Sequence, residues 1–185
     1  MSLFFDCFIL GDAEETFPQF IDRYRRLKKK KLKRKEILKG LSSLKGIYVP
    51  SLYREEYSGG KFQGLKPLEE GVPGKIEKVF IRNFENAYYP EKQIVPLIKI
   101  VHDRTAVEIM RGCPKSCRFC QATAVNRPVR IRSPRRIREI CNSTYAKTGN
   151  ERIALLSLSS VNYPYLVELV KGLNEDFRGK GVGIS

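Results

Sequence analysis

The chain has no run of about 18 apolar residues, so no segment reads as a membrane span. The apolar patch from Met1 to Leu10 has no basic stretch before it and is interrupted by Asp6, which argues against a secretory signal. An even cysteine framework is also missing. There are five cysteines, three of them within eight residues, which is not the pattern of a secreted disulfide domain. Metal-bound cysteines in a reducing cytosol fit better. Histidine is nearly absent, with His102 the single one. What remains is an ordinary globular composition: 185 residues, 42% hydrophobic, enough for one domain or parts of two.

The net charge is +15 and unevenly spread. Between Asp22 and Lys39 stand eleven Lys and Arg against two acids, a net of +9. Such a run suits a nucleic-acid-binding helix. It suits a solvated helical linker equally well, and no aromatic side chain between Lys28 and Lys35 is available to stack bases.

Residues 3–10 read as a buried strand. Phe17, Phe20, Ile21, Tyr24 and Leu27 then recur at helical spacing. This is one strand-loop-helix unit of an α/β domain, residues 1–27. A second helix is expected from about Arg34 to Leu44, stopped by Gly46. Glycine and proline punctuate the stretch from Pro50 to Gly74, and Lys75 to Phe84 alternates like a strand. Residues 28–92 therefore read as a basic, loop-rich connector without a core of its own.

The pattern changes from residue 93. Ile94 to Val101 is a strand or extended arm, and Ala106 to Met110 is a strand. Ser133-Pro134 opens a helix, with Ser as N-cap and Pro in the first turn, running to about Thr148 and ending at Gly149. Ile153 to Leu158 is a continuous apolar run, Tyr165 to Phe177 a helix, and Val182 to Ser185 the start of a third strand. Strand and helix alternate, which implies an α/β fold with parallel pairing: the beginning of a (β/α) barrel of TIM type over residues 93–185. In such barrels the chemistry sits at the C-terminal ends of the strands. Both ends of the chain read as cut, so a fragment of a longer enzyme is expected.

The stretch Arg111-Gly112-Cys113-Pro114-Lys115-Ser116-Cys117-Arg118-Phe119-Cys120 follows the first of these barrel strands. Three thiolates on one tight loop can hold three irons of a 4Fe–4S cluster and leave the fourth iron open to a small molecule. Zinc is the competing occupant, with His102 as fourth ligand. Structural zinc sites favour four closed ligands in paired C-x2-C units, and only Cys117 and Cys120 form such a pair. Cys7 and Cys141 read as buried small apolar residues. Eight arginines from Arg111 to Arg138, with Lys115, could offset an anionic cluster, contact an anionic substrate, or simply be solvated.

The C-x3-C-x2-C spacing, with Phe119 just before the last cysteine, resembles the radical S-adenosylmethionine superfamily. Val101-His102-Asp103-Arg104, Gln121-Ala122, Arg127-Pro128-Val129-Arg130 and Leu155-Leu156-Ser157-Leu158-Ser159 look like its cobalamin-binding-domain-containing branch. Leu10-Gly11-Asp12-Ala13-Glu14-Glu15 then looks like the last strand and loop of a cobalamin-type domain. The resemblance implies that Cys113, Cys117 and Cys120 ligate a 4Fe–4S cluster. S-adenosylmethionine chelates the open iron, and reductive cleavage starts radical modification or methylation of an unknown substrate. It also implies a reducing partner of flavodoxin or ferredoxin type and a cytoplasmic location. RNA is one candidate substrate. The non-enzymatic alternative is a basic, metal-bound, RNA-binding module.

The chain departs from the superfamily pattern in two places. Many members carry Gly-Gly-Glu after the second strand to hold the S-adenosylmethionine amino group, whereas here Ser157, Ser159 and Ser160 occupy that region. Hydroxyls and carbonyls can accept from an ammonium group. Phe119 would pack over the cluster, toward the adenine, or into the core. The usual cobalamin-ligand motif is absent, so cobalamin is expected only in a full-length protein.

Overall fold

The computed structural model describes residues 4–98 and 100–185. Leu3 of the first expected strand and Lys99 of the expected arm lie outside them. The chain divides into two compact units, Met1–Ile81 and Arg82–Ser185.

In the first unit β1 (Phe8–Ile9) pairs antiparallel with β2 (Ile47–Tyr48). The expected strand over residues 3–10 is thus reduced to two paired residues. Gly11 forms a parallel bridge to Val79, so near a partner the expected strand of Lys75 to Phe84 contributes one residue. Gly11 cannot carry a side chain: φ is +115°, and a Cβ would stand 1.9 Å from the Val79 carbonyl oxygen. Helices α1 (Thr16–Lys29) and α2 (Arg34–Ser42) follow the expected periodicities. Ile47, Val49, Leu52, Tyr53 and Val72 form a small core, with Ile9, Phe20, Leu38, Leu65 and Ile76 packed around it. The stretch read as a connector therefore builds a core together with the N-terminal helix.

A hairpin was not anticipated: β3 (Tyr53–Ser58) pairs antiparallel with β4 (Lys61–Pro67). Gly59 and Gly60, at φ +55° and +74°, supply the two-residue turn that needs positive φ at both positions. Beyond Tyr53, β3 is exposed along its length, so no apolar alternation announces it.

The second unit is mixed α/β around a parallel sheet. Strand β5 (Thr105–Glu108) pairs parallel with β8 (Arg152–Leu156), and β8 pairs parallel with β9 (Gly183–Ile184), giving the order β5-β8-β9. Two short antiparallel strands, β6 (Met110–Arg111) and β7 (Arg130–Ile131), bracket the segment that holds α3 (Gln121–Val125). Helix α4 (Pro134–Thr148) crosses from the β6–β7 pair to β8, and α5 (Leu166–Asp176) crosses from β8 to β9.

The boundaries of α4 follow local chemistry. The Ser133 hydroxyl accepts from the Arg136 amide at 3.1 Å, Pro134 occupies the first turn, and Gly149 ends the helix at φ +69°. Ile137, Ile140, Cys141 and Thr144 face inward at i, i+3, i+4 and i+7. Ile137, Ile140 and Cys141 meet Val107, Ile153, Leu169, Leu173 and Phe177 in one core. Burying each such aliphatic side chain is worth about 2 kcal/mol. The expected arm from Ile94 to Val101 forms no strand among the described residues, and most of its apolar side chains are exposed.

Helices α4 and α5 are also joined by an ion pair. Arg138 donates to both Asp176 carboxylate oxygens, at 2.8 and 2.6 Å, and Asn142 adds a third bond at 3.0 Å. The Arg138 hydrogen bonds hold the Asp176 carboxyl below its usual range. A lowered carboxyl pKa stabilises the fold above the unfolded value of about 3.9, and that contribution fades as pH falls through the folded value. Asp176→Asn should lower the urea midpoint at neutral pH, with the deficit shrinking as pH falls below about 3.9. A deficit independent of pH would rule out this linkage.

Candidate functional site

The cysteine loop is anchored at Ile109. The Ile109 amide donates to the Leu156 carbonyl of β8 at 2.9 Å, and its carbonyl accepts from the Arg132 amide at 3.0 Å. The chain thus leaves the parallel sheet at Ile109 and enters the β6–β7 ladder, which closes the loop at its base. The reading of Ala106 to Met110 as one strand leading into the loop is refined by this one-residue break.

Below the loop two guanidinium groups sit near one ring. Arg111 lies 5.0 Å and Arg132 4.3 Å from the centroid of Phe84. Arg111 also grips Glu108 through two hydrogen bonds, at 3.0 and 2.8 Å. Arg132 is 2% exposed and donates to the Glu108 carbonyl at 2.7 Å. Glu85, next to Phe84, accepts from both the amide and the hydroxyl of Ser133. The Tyr163 hydroxyl donates to the Arg132 carbonyl at 2.6 Å. These contacts join residues up to 48 positions apart, and the sequence carried no local signal for them. The reading of Lys75 to Phe84 as a strand gives Phe84 no role at the cysteine loop.

Gly112 turns the chain from β6 into the loop at φ +89°. A Cβ there would lie 2.7 Å from the Asn126 carbonyl oxygen and 3.0 Å from that of Pro128, so the returning limb passes against bare backbone. The three cysteines then differ in setting. Cys113 is buried near the base, Cys117 is exposed at the tip, and Cys120 is half-buried at the entrance to α3. The Cys120 amide donates to the Cys117 carbonyl at 3.0 Å, which makes the tip a tight turn. Hydrogen bonding to the Thr123 side chain, and then to the Thr123 amide, holds the Cys120 thiol below its usual range.

Among the described residues no three His, Cys, Asp or Glu side chains are gathered closely enough to hold a metal ion. The donor set is nevertheless of the right kind for iron and sulfide: three free thiols on one loop, one of them with thiolate character favoured. Ordering the loop around a cluster would then be coupled to binding it. Phe119 is 91% exposed and packs into no core. His102 is exposed and contacts Arg104.

The serine segment follows β8, and β8 runs parallel to β5, so both it and the cysteine loop leave the same edge of the sheet. Ser157 and Ser160 share a hydrogen bond at 2.8 Å, the Ser159 amide donates to Ser157 Oγ, and Asn162 donates to Ser159 Oγ. The three hydroxyls are therefore engaged with one another and with Asn162. A cleft of about 420 Å³ between α4 and α5, lined by Arg138, Glu168 and Asp176 among others, includes none of these residues.

Residues 1–50 match the family described as "Radical SAM proteins, N-terminal". The match supports the radical S-adenosylmethionine superfamily through a part of the chain other than the cysteine loop. An uncharacterized protein of Methanocaldococcus jannaschii is 28% identical over 116 residues, covering 58% of this chain and 26% of the relative. The chain thus spans about a quarter of that relative's length. No described helix is long and apolar enough to cross a membrane.

Two outcomes test the loop. Gly112→Ala should destabilise the second unit by roughly 2 kcal/mol, read as a lower urea midpoint, because strained φ and a backbone clash coincide. An unchanged midpoint would show that the limb moves aside freely. In the native, metal-free protein at pH 8, iodoacetamide should alkylate exposed Cys117 and spare Cys141, whose thiol burial pushes up to about 12. Equal labelling of the two would contradict the buried setting of Cys141.

Proposed function

We propose that this chain carries the cluster-binding start of a radical S-adenosylmethionine enzyme. The observation that supports it best is the placement of three free cysteines on one anchored loop at the C-terminal edge of a parallel sheet. The N-terminal family match adds to it. In this reading the second unit is the beginning of a (β/α) barrel. Residues 1–27 end a cobalamin-type α/β domain, and residues 28–92 span the interval to the barrel at residues 93–185. The protein is placed in the cytoplasm, in the cobalamin-associated branch.

Cys113, Cys117 and Cys120 would hold a 4Fe–4S cluster. Held there and supplied with an electron by a flavodoxin- or ferredoxin-type donor, such a group would provide the reductive cleavage of S-adenosylmethionine that starts radical modification or methylation of the substrate. The chain's own residues prepare that chemistry. Lys115 and Arg118, both exposed on the loop, offset the negative charge that three thiolates bring. Phe119 stands exposed beside Cys120, free to cover the bound group from water. Ser157, Ser159 and Ser160, with the carbonyls around them, supply acceptors for the amino group of S-adenosylmethionine. Each hydroxyl has two acceptor lone pairs, and the bonds that Ser159 and Ser160 make leave one of them for an ammonium group.

Anaerobic reconstitution with iron and sulfide should give absorption near roughly 400 nm and, after reduction, an electron paramagnetic resonance signal that S-adenosylmethionine alters. Cys117→Ala should abolish both. A variant that keeps both signals would remove Cys117 from the ligand set and overturn the assignment.

A further inference from the structure

Helices α1 and α2 meet at a corner from Lys30 to Lys33 that carries an unusual surface. Arg25, Arg26, Lys28, Lys29, Lys30, Lys31 and Lys33 are all exposed there. None of their side-chain cations is ion-paired with an acid among the described residues, although the Lys33 backbone amide donates to the Glu36 carboxylate at 2.8 Å. Arg26 bonds the Asp22 carbonyl and Lys28 the Tyr24 hydroxyl, and both side chains remain accessible. The fold does neutralise neighbouring cations: Arg34 pairs with Asp6, and Lys35 and Lys39 both pair with Glu69. Charge compensation therefore stops at the edge of the corner.

Local helix chemistry explains only half of this charge. Arg26, Lys28 and Lys29 lie in the last turn of α1, where cations complement the helix dipole. Lys33, Arg34 and Lys35 lie at the start of α2, where the same dipole opposes them, and Glu36 is the one acid of that turn. Lys31 occupies left-handed backbone at φ +56°, a conformation that glycine or asparagine adopts at lower cost. The corner thus keeps cations where the backbone alone would favour other residues.

The two helices are tied together. Leu27 packs on Gly40 so closely that a Cβ there would lie 2.7 Å from its Cδ1. Arg23 ties α1 to α2 through the Gly40 carbonyl at 3.3 Å and Ser43 Oγ at 3.2 Å.

We infer that this corner docks the phosphate backbone of a nucleic-acid duplex. Clustered exposed cations at a helical corner suit closely spaced phosphates, each contact releasing condensed counterions. The missing stacking residues argue against a single strand: the one aromatic nearby, Tyr24, is half-buried and covered by Lys28 at 5.4 Å. A membrane surface fits less well, because the corner has no exposed apolar side chain to insert: Leu27 and Leu32 are both half-buried. The inference does not depend on the cluster, since it is measured on metal-free protein.

The test is fluorescence anisotropy of the full chain with labelled 20-base-pair RNA and DNA duplexes, and with the corresponding single strand, in roughly 50 to 200 mM salt. Duplex affinity should fall with salt at a log–log slope of about −4 or steeper. Lys29→Glu/Lys30→Glu/Lys33→Glu should weaken binding at least about 30-fold and flatten the slope by about 3. A control with the same change in net charge, Lys61→Glu/Lys171→Glu/Arg178→Glu, should weaken it less than about threefold. If the first variant fails to fold by circular dichroism, Lys29→Gln/Lys30→Gln should still lose several-fold. A preference between the two duplexes names the natural ligand. Equal loss in corner and control variants would overturn the inference. So would stronger single-strand binding, no duplex binding at the lowest salt, or binding only to vesicles containing phosphatidylserine.

Discussion

The backbone of Ile109 joins the two things the proposed chemistry needs. Its amide belongs to the parallel sheet through Leu156, and its carbonyl belongs to the cysteine loop through Arg132. A loop of about twenty residues that must order around a cofactor bears a large entropic cost. Fixing its base to β8 removes part of that cost before anything binds. The Arg111–Phe84–Arg132 arrangement serves the same end, holding both limbs of the loop over one ring.

Charge is arranged around that anchor in two different ways. At the base, arginines are buried or paired: Arg132 among carbonyls and Arg111 against Glu108. On the loop itself Lys115 and Arg118 are exposed beside the thiols. The buried cations fix geometry, because a desolvated guanidinium tolerates few alternative positions. The exposed ones are available to an anionic occupant. The basic corner of the first unit is a third arrangement, with compensation at its margins and none at its centre.

Much of the second unit was legible in sequence. Ser133-Pro134 and Gly149 marked both ends of α4 because capping is local chemistry, and the inward face at Ile137 and Ile140 followed from helical period. The apolar run at Ile153 announced a strand with parallel partners on both sides. Elements that rest on distant partners were not legible. Residues 3–10 and Lys75 to Phe84 looked like strands, yet each pairs through only a residue or two, because pairing depends on what lies alongside. The β3–β4 hairpin was missed for the opposite reason: its glycine turn was visible, but its strands are exposed and polar. At the candidate site the cysteines and serines could be named from spacing and resemblance. The contacts of Phe84, Glu85 and Arg132 could not, since they join segments far apart in the chain.

Metal content measured anaerobically on the purified chain tests the central claim most directly. The account predicts about four iron and four sulfide per chain after reconstitution, with no stoichiometric zinc. One zinc per chain with neither iron nor sulfide would contradict it.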